Sequence, residues 1–480
     1  MPAATPARQE LLSSIAGLTA DSRAVKPGWL FAALRGERAD GRAFIGQALE
    51  KGAAAILTDE LPADCADAVK AKANLFLSGN PRRELAELAA AFAGPHPCHI
   101  AMVTGTNGKT STVEFARQLW ALLGIDAASI GTLGLTRHSG LQAGSLTTPD
   151  PVALAEMLAS LARDGVDHVA LEASSHGLDQ ERLSGVQASV GVFTSFSRDH
   201  LDYHQSLEAY LAAKLRLFSE RLSTGDTAIV CADIPVSAGV ETAALSKGLD
   251  LWTYGEKGER LALVNSEAVP EGQRLSLRVE GEAFEVLLPL AGDFQALNAL
   301  AALGIVLASG ADRAKAVACL EKLRGVHGRL ELAGTTKDGA SVYIDYAHTP
   351  GGLEIALSAL RPSVKGRLLV VFGAGGDRDR GKRSEMGSVA ARLADVVIVT
   401  DDNPRTEDPA SIREAILAAC PGAREIGDRA EAIAWAVTDL KAGDVLLIAG
   451  KGHETGQTVG GEVLPFDDLA QARQALEALA

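Results

Sequence analysis

IAMVTGTNGKTSTVEFARQLW, running from Ile100 to Trp120, decides how the chain is read. An apolar run ends in Gly105-Thr106-Asn107-Gly108-Lys109-Thr110, and a helix-periodic stretch follows at once. Strand, glycine-rich turn and helix in that order make a phosphate cradle. The glycines let backbone N–H groups turn inward around phosphate oxygens, and the helix N-terminus adds partial positive charge. Lys109 has the reach for a β- or γ-phosphate, and Thr110 a hydroxyl for magnesium. The strict Walker spacing wants a glycine where Val103 stands, so the generic motif is not met. A plain glycine-rich turn is the alternative reading.

Toward the C-terminus, HVALEA, VGVFTSF and DTAIVCA read as strands separated by helical stretches such as PVALAEMLASLARDG. Strands alternating with helices predict a central unit, residues 98–330, on a mainly parallel sheet. Beyond Leu330, the runs SVYIDYAH, RLLVVFGAGG, DVVIVTDDNP and DVLLIAGKGHE each end in polar or glycine-rich residues. That is a doubly wound, Rossmann-like pattern over 331–480, with its site at the strand C-termini. Toward the N-terminus, SRAVKPG, WLFAAL, a short helix into EKGAAAILTDE, and NLFL read as a small α/β unit over 1–97. Two prolines in AGPHPCH stop a helix there and mark a linker. The expected fold class is α/β in three domains, which suits 480 residues, with hinges near Pro95 and Leu330.

A net charge of -15 excludes nucleic acid or an anionic membrane as the main partner, since either would need a basic face. Phosphate must be held locally. Cys65, Cys98, Cys231, Cys319 and Cys420 are odd in number and lack a CxxC pair, so neither a disulfide framework nor a zinc site is indicated. The N-terminus shows no signal-peptide core and no stretch approaches a membrane span, which predicts a cytoplasmic protein. Oligomeric state is unreadable from sequence, and a monomer is the default expectation.

TGTNGKTST resembles the shortened phosphate loop of the Mur ligase family, and further motifs follow in that family's order: TTPDP (147–151), LEASSHGL (171–178), RDHLDYH (198–204), AAKLRLF (212–218), HGR (327–329), DYAHTP (345–350), GGDRDRGKR (375–383), DNPR (402–405) and GKGHE (450–454). The resemblance implies an ATP-dependent ligase in which phosphate is first placed on a carboxylate and an amine then displaces it. TTPDP, DNPR and GKGHE together resemble the branch that adds the third residue of the cell-wall stem peptide. For that branch the substrates are ATP, a UDP-muramoyl dipeptide and meso-diaminopimelate.

The same resemblance implies roles at single residues. Gly105, Thr106, Asn107, Gly108, Lys109, Thr110, Ser111, Asn298 and Arg329 would hold ATP, and Thr110, Glu172 and His200 would hold Mg2+. Lys109, Lys214, Glu172 and His200 form the catalytic set. By itself YLAAKLRLF reads as a helix with Lys214 on its surface. Only the resemblance implies a Lys214 carbamylated by carbon dioxide, a cation turned into an anion. Gln295 stands where many members carry Asn. Asp345 and His348 either line the ATP site or make an ordinary turn after a strand.

Ser22, Glu37, Arg38 and Ala39 match the uridine-side region, although Glu37-Arg38 depart from the amide or histidine side chains expected. Thr147, Thr148, Ser174, Gln180, Arg182 and Lys214 match the positions that hold sugar and peptide, with Leu146 in place of a frequent Asn. Arg378, Asp402, Asn403, Pro404, Arg405, Gly450 and Glu454 match the diaminopimelate site. Diaminopimelate differs from lysine by a distal carboxylate, and an arginine fork left unpaired by lysine would discriminate strongly. A turn capped by Asn-Pro is the structural alternative for DNPR. Three other functions compete: a folylpolyglutamate synthetase-like ligase, a P-loop ATPase or small-molecule kinase, and a nucleotide-binding scaffold.

Overall fold

The computed structural model describes residues 6–36, 39–138, 140–142, 144, 146–269 and 271–479. Glu37 and Arg38, expected on the uridine side, lie outside the described residues. Three sheets built largely of parallel strands carry the described chain, with a small hairpin beside the third.

The first sheet pairs Gly17–Thr19, Trp29–Ala32, Ala55–Thr58 and Asn74–Leu77 in sequence order, all parallel. Helix Pro81–Ala93 closes this unit. Asn80 caps it by accepting from Arg83 N, and Pro81 occupies the first turn, where a missing N–H costs nothing. The helix buries Leu85, Leu88 and Ala89 in one apolar cluster with Leu30, Leu57 and Ala155. Because Ala155 belongs to helix Pro151–Arg163 of the next unit, that cluster ties the two units together. The chain leaves helix Pro81–Ala93 through Gly94 at φ 107 and runs without regular structure to His99.

The second sheet has a parallel centre: Ala127–Gly131, His168–Glu172, His99–Thr104, Val190–Phe193, Thr227–Cys231 and Asp250–Gly255, in that spatial order. Strand His99–Thr104 turns Ile100 and Met102 into one apolar cluster and Ala101 and Val103 into another. A strand covered on both faces reads as an unbroken apolar run, which is why IAMV shows no alternation. The edges depart from the parallel pattern. Gly272–Val279 and Glu282–Leu288 form an antiparallel hairpin, because Glu280-Gly281 leaves no length for a crossover. Gly134–Arg137 and Gly140–Gln142 extend the other edge in the same way.

The third sheet orders Glu331–Thr335, Ser341–Asp345, Val445–Ala449, Leu368–Phe372, Val396–Val399 and Arg424–Glu425, with only the first strand antiparallel. Apolar clusters cover both its faces, as a doubly wound sheet requires. Leu330, at the entry to this unit, holds a left-handed φ of 46, and its N–H donates to Asp345 Oδ2 at 2.7 Å. Among the described residues no helix is long and apolar enough to cross a membrane.

Candidate active site

Gly105 and Gly108 bend the phosphate loop with φ of 140 and 88. A Cβ on Gly105 would overlap the Thr194 hydroxyl, and one on Gly108 would meet the Asn298 amide oxygen at 2.5 Å. The loop is therefore pressed onto a neighbouring strand end and onto helix Asp293–Ala308. Asn107 N donates to Ser195 Oγ at 2.8 Å, and Asn298 Nδ2 donates to Gln295 Oε1 at 3.1 Å. Thr106 to Ser111 line a cavity of about 420 Å³, whose walls include Glu172, His200, Asn298, Arg329, Asp345 and His348. These sequence-selected residues thus meet in one place, contributed by the second and third units.

Glu172 ends strand His168–Glu172 and is buried, its carboxylate taking Thr132 N at 2.7 Å and Thr132 Oγ1 at 3.2 Å. A Cβ on Gly131 would overlap that carboxylate. His200 has a left-handed φ of 52, and its N–H donates to Asp199 Oδ1 at 2.8 Å. Burial pushes the Asp199 carboxyl up, but His200, His348 and Lys109 outweigh it and hold the group below its ordinary value. From the far side Arg329 Nη2 donates to Thr110 Oγ1 at 3.2 Å, its guanidinium 4.5 Å from the Tyr346 ring centre. Burial raises Asp345 to about 6, against the pull of Arg329.

Lys214 is buried rather than on a helix surface. Its Nζ donates to Gly105 O at 2.8 Å and lies 4.3 Å from the Tyr210 ring centre. Helix Leu207–Arg216 turns this face inward, and a π-helical turn, Leu217–Arg221, continues it. A single surface-like pattern, AAKLR, hides the burial because the lysine needs a polar acceptor and the phosphate loop supplies one.

A second cavity, of about 640 Å³, shares Thr147, Asp199, His200, Tyr346, His348 and Thr349 with the first, so the two are adjacent. Its lining also carries Arg378, Asp402, Asn403, Arg405, Gly450 and Glu454; Pro404 is not in that lining, and its carbonyl accepts from Glu407 N at 3.1 Å. Arg405 holds φ at 54, donates its Nη1 to Gly376 O at 2.7 Å, and its N–H to Thr458 O at 3.0 Å. Burial first and Asp402 second push the Glu454 carboxyl up. A Cβ on Gly450 would overlap the Asp402 carboxylate.

A third group sits beside Glu172. Thr148 Oγ1 donates to Glu172 O at 2.9 Å and lies 2.9 Å from Ser174 Oγ, which caps the short helix Ser175–Asp179. Arg182 donates to Gln180 Oε1 at 2.6 Å and to Thr148 O at 2.8 Å. Thr147 Oγ1 lies 3.1 Å from Thr132 Oγ1. Ser22 is buried in the first unit, its carbonyl taking Lys51 Nζ at 3.1 Å, and Ala39 O accepts from Gly36 N at 3.0 Å.

Several residues of this arrangement were not selected from sequence. Asp199, Lys382 and Lys451 fall inside RDHLDYH, GGDRDRGKR and GKGHE, so the motifs flagged them without a role. Lys382 Nζ donates to His348 O at 3.0 Å and lines the second cavity. Thr132 and Gly131 carried no signal, since only a buried carboxylate nearby gives them meaning.

The chain matches three family models: Mur ligase family, catalytic domain over residues 14–93, Mur ligase middle domain over 103–306, and Mur ligase, glutamate ligase domain over 328–452. It is 51% identical over 465 residues to UDP-N-acetylmuramoyl-L-alanyl-D-glutamate--2,6-diaminopimelate ligase of Rhizobium meliloti (strain 1021), covering 97% of this chain and 95% of that one. The ligase of the same name from Caulobacter vibrioides is 52% identical over 469 residues, 96% of each chain. A solved structure of a ligase of that name superposes with a TM-score of 0.70 at 34% identity, over 97% of this chain and 95% of that one. With three family models on one chain and relatives matched end to end, the chain belongs to the Mur ligase family.

Proposed function

We propose that the chain is a cytoplasmic, monomeric, ATP-dependent ligase joining meso-2,6-diaminopimelate to the D-glutamate carboxylate of UDP-N-acetylmuramoyl-L-alanyl-D-glutamate. One observation carries the reading: the cavity under the phosphate loop and the cavity bearing Arg378, Asn403, Arg405 and Glu454 are neighbours that share Asp199, His200 and His348 in their walls. A phosphoryl donor and an amine acceptor can therefore meet at one carboxylate. The chain also matches, at about half identity, relatives named for this reaction.

In the reading, the loop N–H groups and Lys109 hold the β- and γ-phosphates, while Asn298 and Arg329 bound the nucleotide side. The acceptor carboxylate oxygen takes the γ-phosphoryl group and ADP leaves. The diaminopimelate nitrogen then bonds to the acyl carbon, the C–O bond to phosphate breaks, and the nitrogen loses a proton. Thr147, Thr148, Ser174, Gln180 and Arg182 hold the sugar and peptide, with Ser22 and Ala39 toward the uridine. Phosphoryl transfer rests on alignment and charge neutralisation more than on covalent help from the protein.

Thr110, Glu172 and His200 fit a Mg2+ ion. All three line the first cavity, and the set brings one buried carboxylate and one hydroxyl, few ligands of the hard kind. Among the described residues no three His, Cys, Asp or Glu side chains gather into a metal cage. Magnesium is commonly held that way, by one or two carboxylates with phosphate and water oxygens completing the shell. When bound it neutralises phosphate charge; the chain's residues orient and desolvate the reactants. Phosphate release and amide formation, followed by mass spectrometry, test the proposal. Release must require both the dipeptide and the amine, and release with ATP alone would return the chain to simple ATPases.

A further inference from the structure

Lys451 is fully buried, yet it stands between the cavity residues Gly450 and Glu454. A buried ammonium is costly unless its protons are satisfied. Here Nζ donates to Gly456 O at 2.7 Å and to Asn403 Oδ1 at 3.1 Å, with Glu454 Oε2 at 3.8 Å. The same Asn403 oxygen accepts a second bond, from Thr458 N at 2.8 Å. Both of its lone pairs are thereby taken.

The consequence is an amide that cannot be turned over. A flipped Asn403 would aim its two N–H donors at an ammonium and a backbone N–H, and its oxygen at the Glu454 carboxylate. In the observed sense Nδ2 donates to Glu454 Oε2 at 3.0 Å, which leaves its other proton for the cavity. Asn403 therefore offers a donor only, and Glu454 an acceptor only. An amino acid brings a carboxylate and an ammonium on one carbon, so a wall with fixed donor and acceptor accepts it in a single orientation.

Resting on the ligase reading above, we propose that Lys451 is a positioning residue for the amino-acid substrate: it holds Asn403 as a carboxylate donor and Glu454 as the ammonium acceptor. The β-hairpin of Gly456–Val459 and Glu462–Pro465 completes the device through Thr458. Lys451→Met keeps the volume and removes the donor, whereas Lys451→Gln keeps a neutral N–H donor on a side chain one bond shorter.

Both full-length variants are assayed for phosphate release against diaminopimelate, ATP and dipeptide concentration. Lys451→Met should raise the KM for diaminopimelate at least ten-fold, with the KM for ATP and dipeptide within two-fold, and Lys451→Gln should recover most of that loss. A diaminopimelate KM within two-fold of the parent in Lys451→Met, or an equal rise for all three substrates, would overturn the proposal. Parent protein that fails to use diaminopimelate would sink the ligase reading instead. Hydrogen exchange of the Asn403 side-chain amide then decides the Lys451 role by itself, its signal assigned by loss in Asn403→Asp. Exchange in Lys451→Met at least ten-fold faster than in the parent supports it, and unchanged exchange overturns it. If Lys451→Met does not fold, the parent amide is read alone: protection beyond that of exposed asparagines supports the role, and its absence overturns it.

Discussion

Lys109 and Lys214 share one acceptor: their ammonium groups donate to the carbonyl oxygen of Gly105 at 2.9 and 2.8 Å. Two cations converging on one buried carbonyl do not both stay charged easily. Burial first, and Lys109 second, push the Lys214 amine well below the usual lysine range. Lys109 is lowered by burial too, but Glu172 and Asp199 offset part of the effect. Lys214 is thus the amine held further below its ordinary range, and in the proposed reading it is the one that adds, in its neutral form, to carbon dioxide.

Addition of carbon dioxide to the neutral amine forms an N–C bond, releases one proton and leaves Lys214 an anion. With 13C-labelled bicarbonate, a carbamate signal is expected in the parent and not in Lys214→Ala. Since the neutral amine is the reactive form, the signal should grow as pH rises and fade as pH falls. The variant should lose activity by about two orders of magnitude or more, some 3 kcal/mol of barrier.

Glu172 depends on Gly131. Glu172→Gln keeps the shape and removes the charge, so kcat should fall about a hundred-fold or more. Gly131→Ala places a methyl against the same carboxylate and should raise the Mg2+ concentration needed for half-maximal activity. A magnesium titration of both variants checks this; a Gly131→Ala curve overlying the parent would show the carboxylate is free to move.

Arg429 and Asp468 form a fully buried pair, joined at 2.7 Å through both Nε and Nη2. Arg429 also donates to Ala449 O at 2.9 Å, tying down the strand that leads into the GKGHE loop. Arg429→Met alone leaves Asp468 unpaired and should cost about 3–5 kcal/mol in urea unfolding. The double change Arg429→Met with Asp468→Leu should recover most of that stability.

Glu181 links the first two units: Arg83, Asn80, Arg216 and Ser184 all donate to it. Burial opposes ionisation, but Ser184, Arg83 and Arg216 hold its carboxyl at about 2, below the ordinary 4.5. A depressed carboxyl stabilises fully above pH 4.5 and loses its contribution as pH falls toward 2. Glu181→Gln should melt on the order of 3 °C below the parent at pH 6. The gap should narrow between pH 5 and pH 3, and a gap constant with pH would contradict the assignment.

The parallel core strands and the phosphate loop were legible because burial on both faces leaves continuous apolar runs, and because a glycine turn before a helix is a local device. The sheet edges were less so: hairpins at Glu280-Gly281 and around His138 follow from short turns, not from apolar periodicity. At the site, Glu172 could be placed at a strand end from sequence, whereas His200, expected at the end of another strand, stands beyond strand Val190–Phe193 at the N-cap of the short helix Leu201–His204. Burial of Lys214, the Asn403 amide sense and the Thr132 bonds to Glu172 could not be read from sequence, because each depends on a partner distant in sequence. Lys451 illustrates the limit: its acceptor Asn403 lies 48 positions away, on another strand end.

Arg405 turns its guanidinium toward the second cavity while Gly376 O anchors one edge of the fork. Phosphate release with the UDP-muramoyl dipeptide, comparing meso-diaminopimelate and L-lysine in the parent and in Arg405→Ala, tests the proposed function most directly. Turnover with diaminopimelate but not lysine, lost in the variant, is the predicted result. Equal use of lysine by the parent, or full diaminopimelate activity in Arg405→Ala, would contradict it.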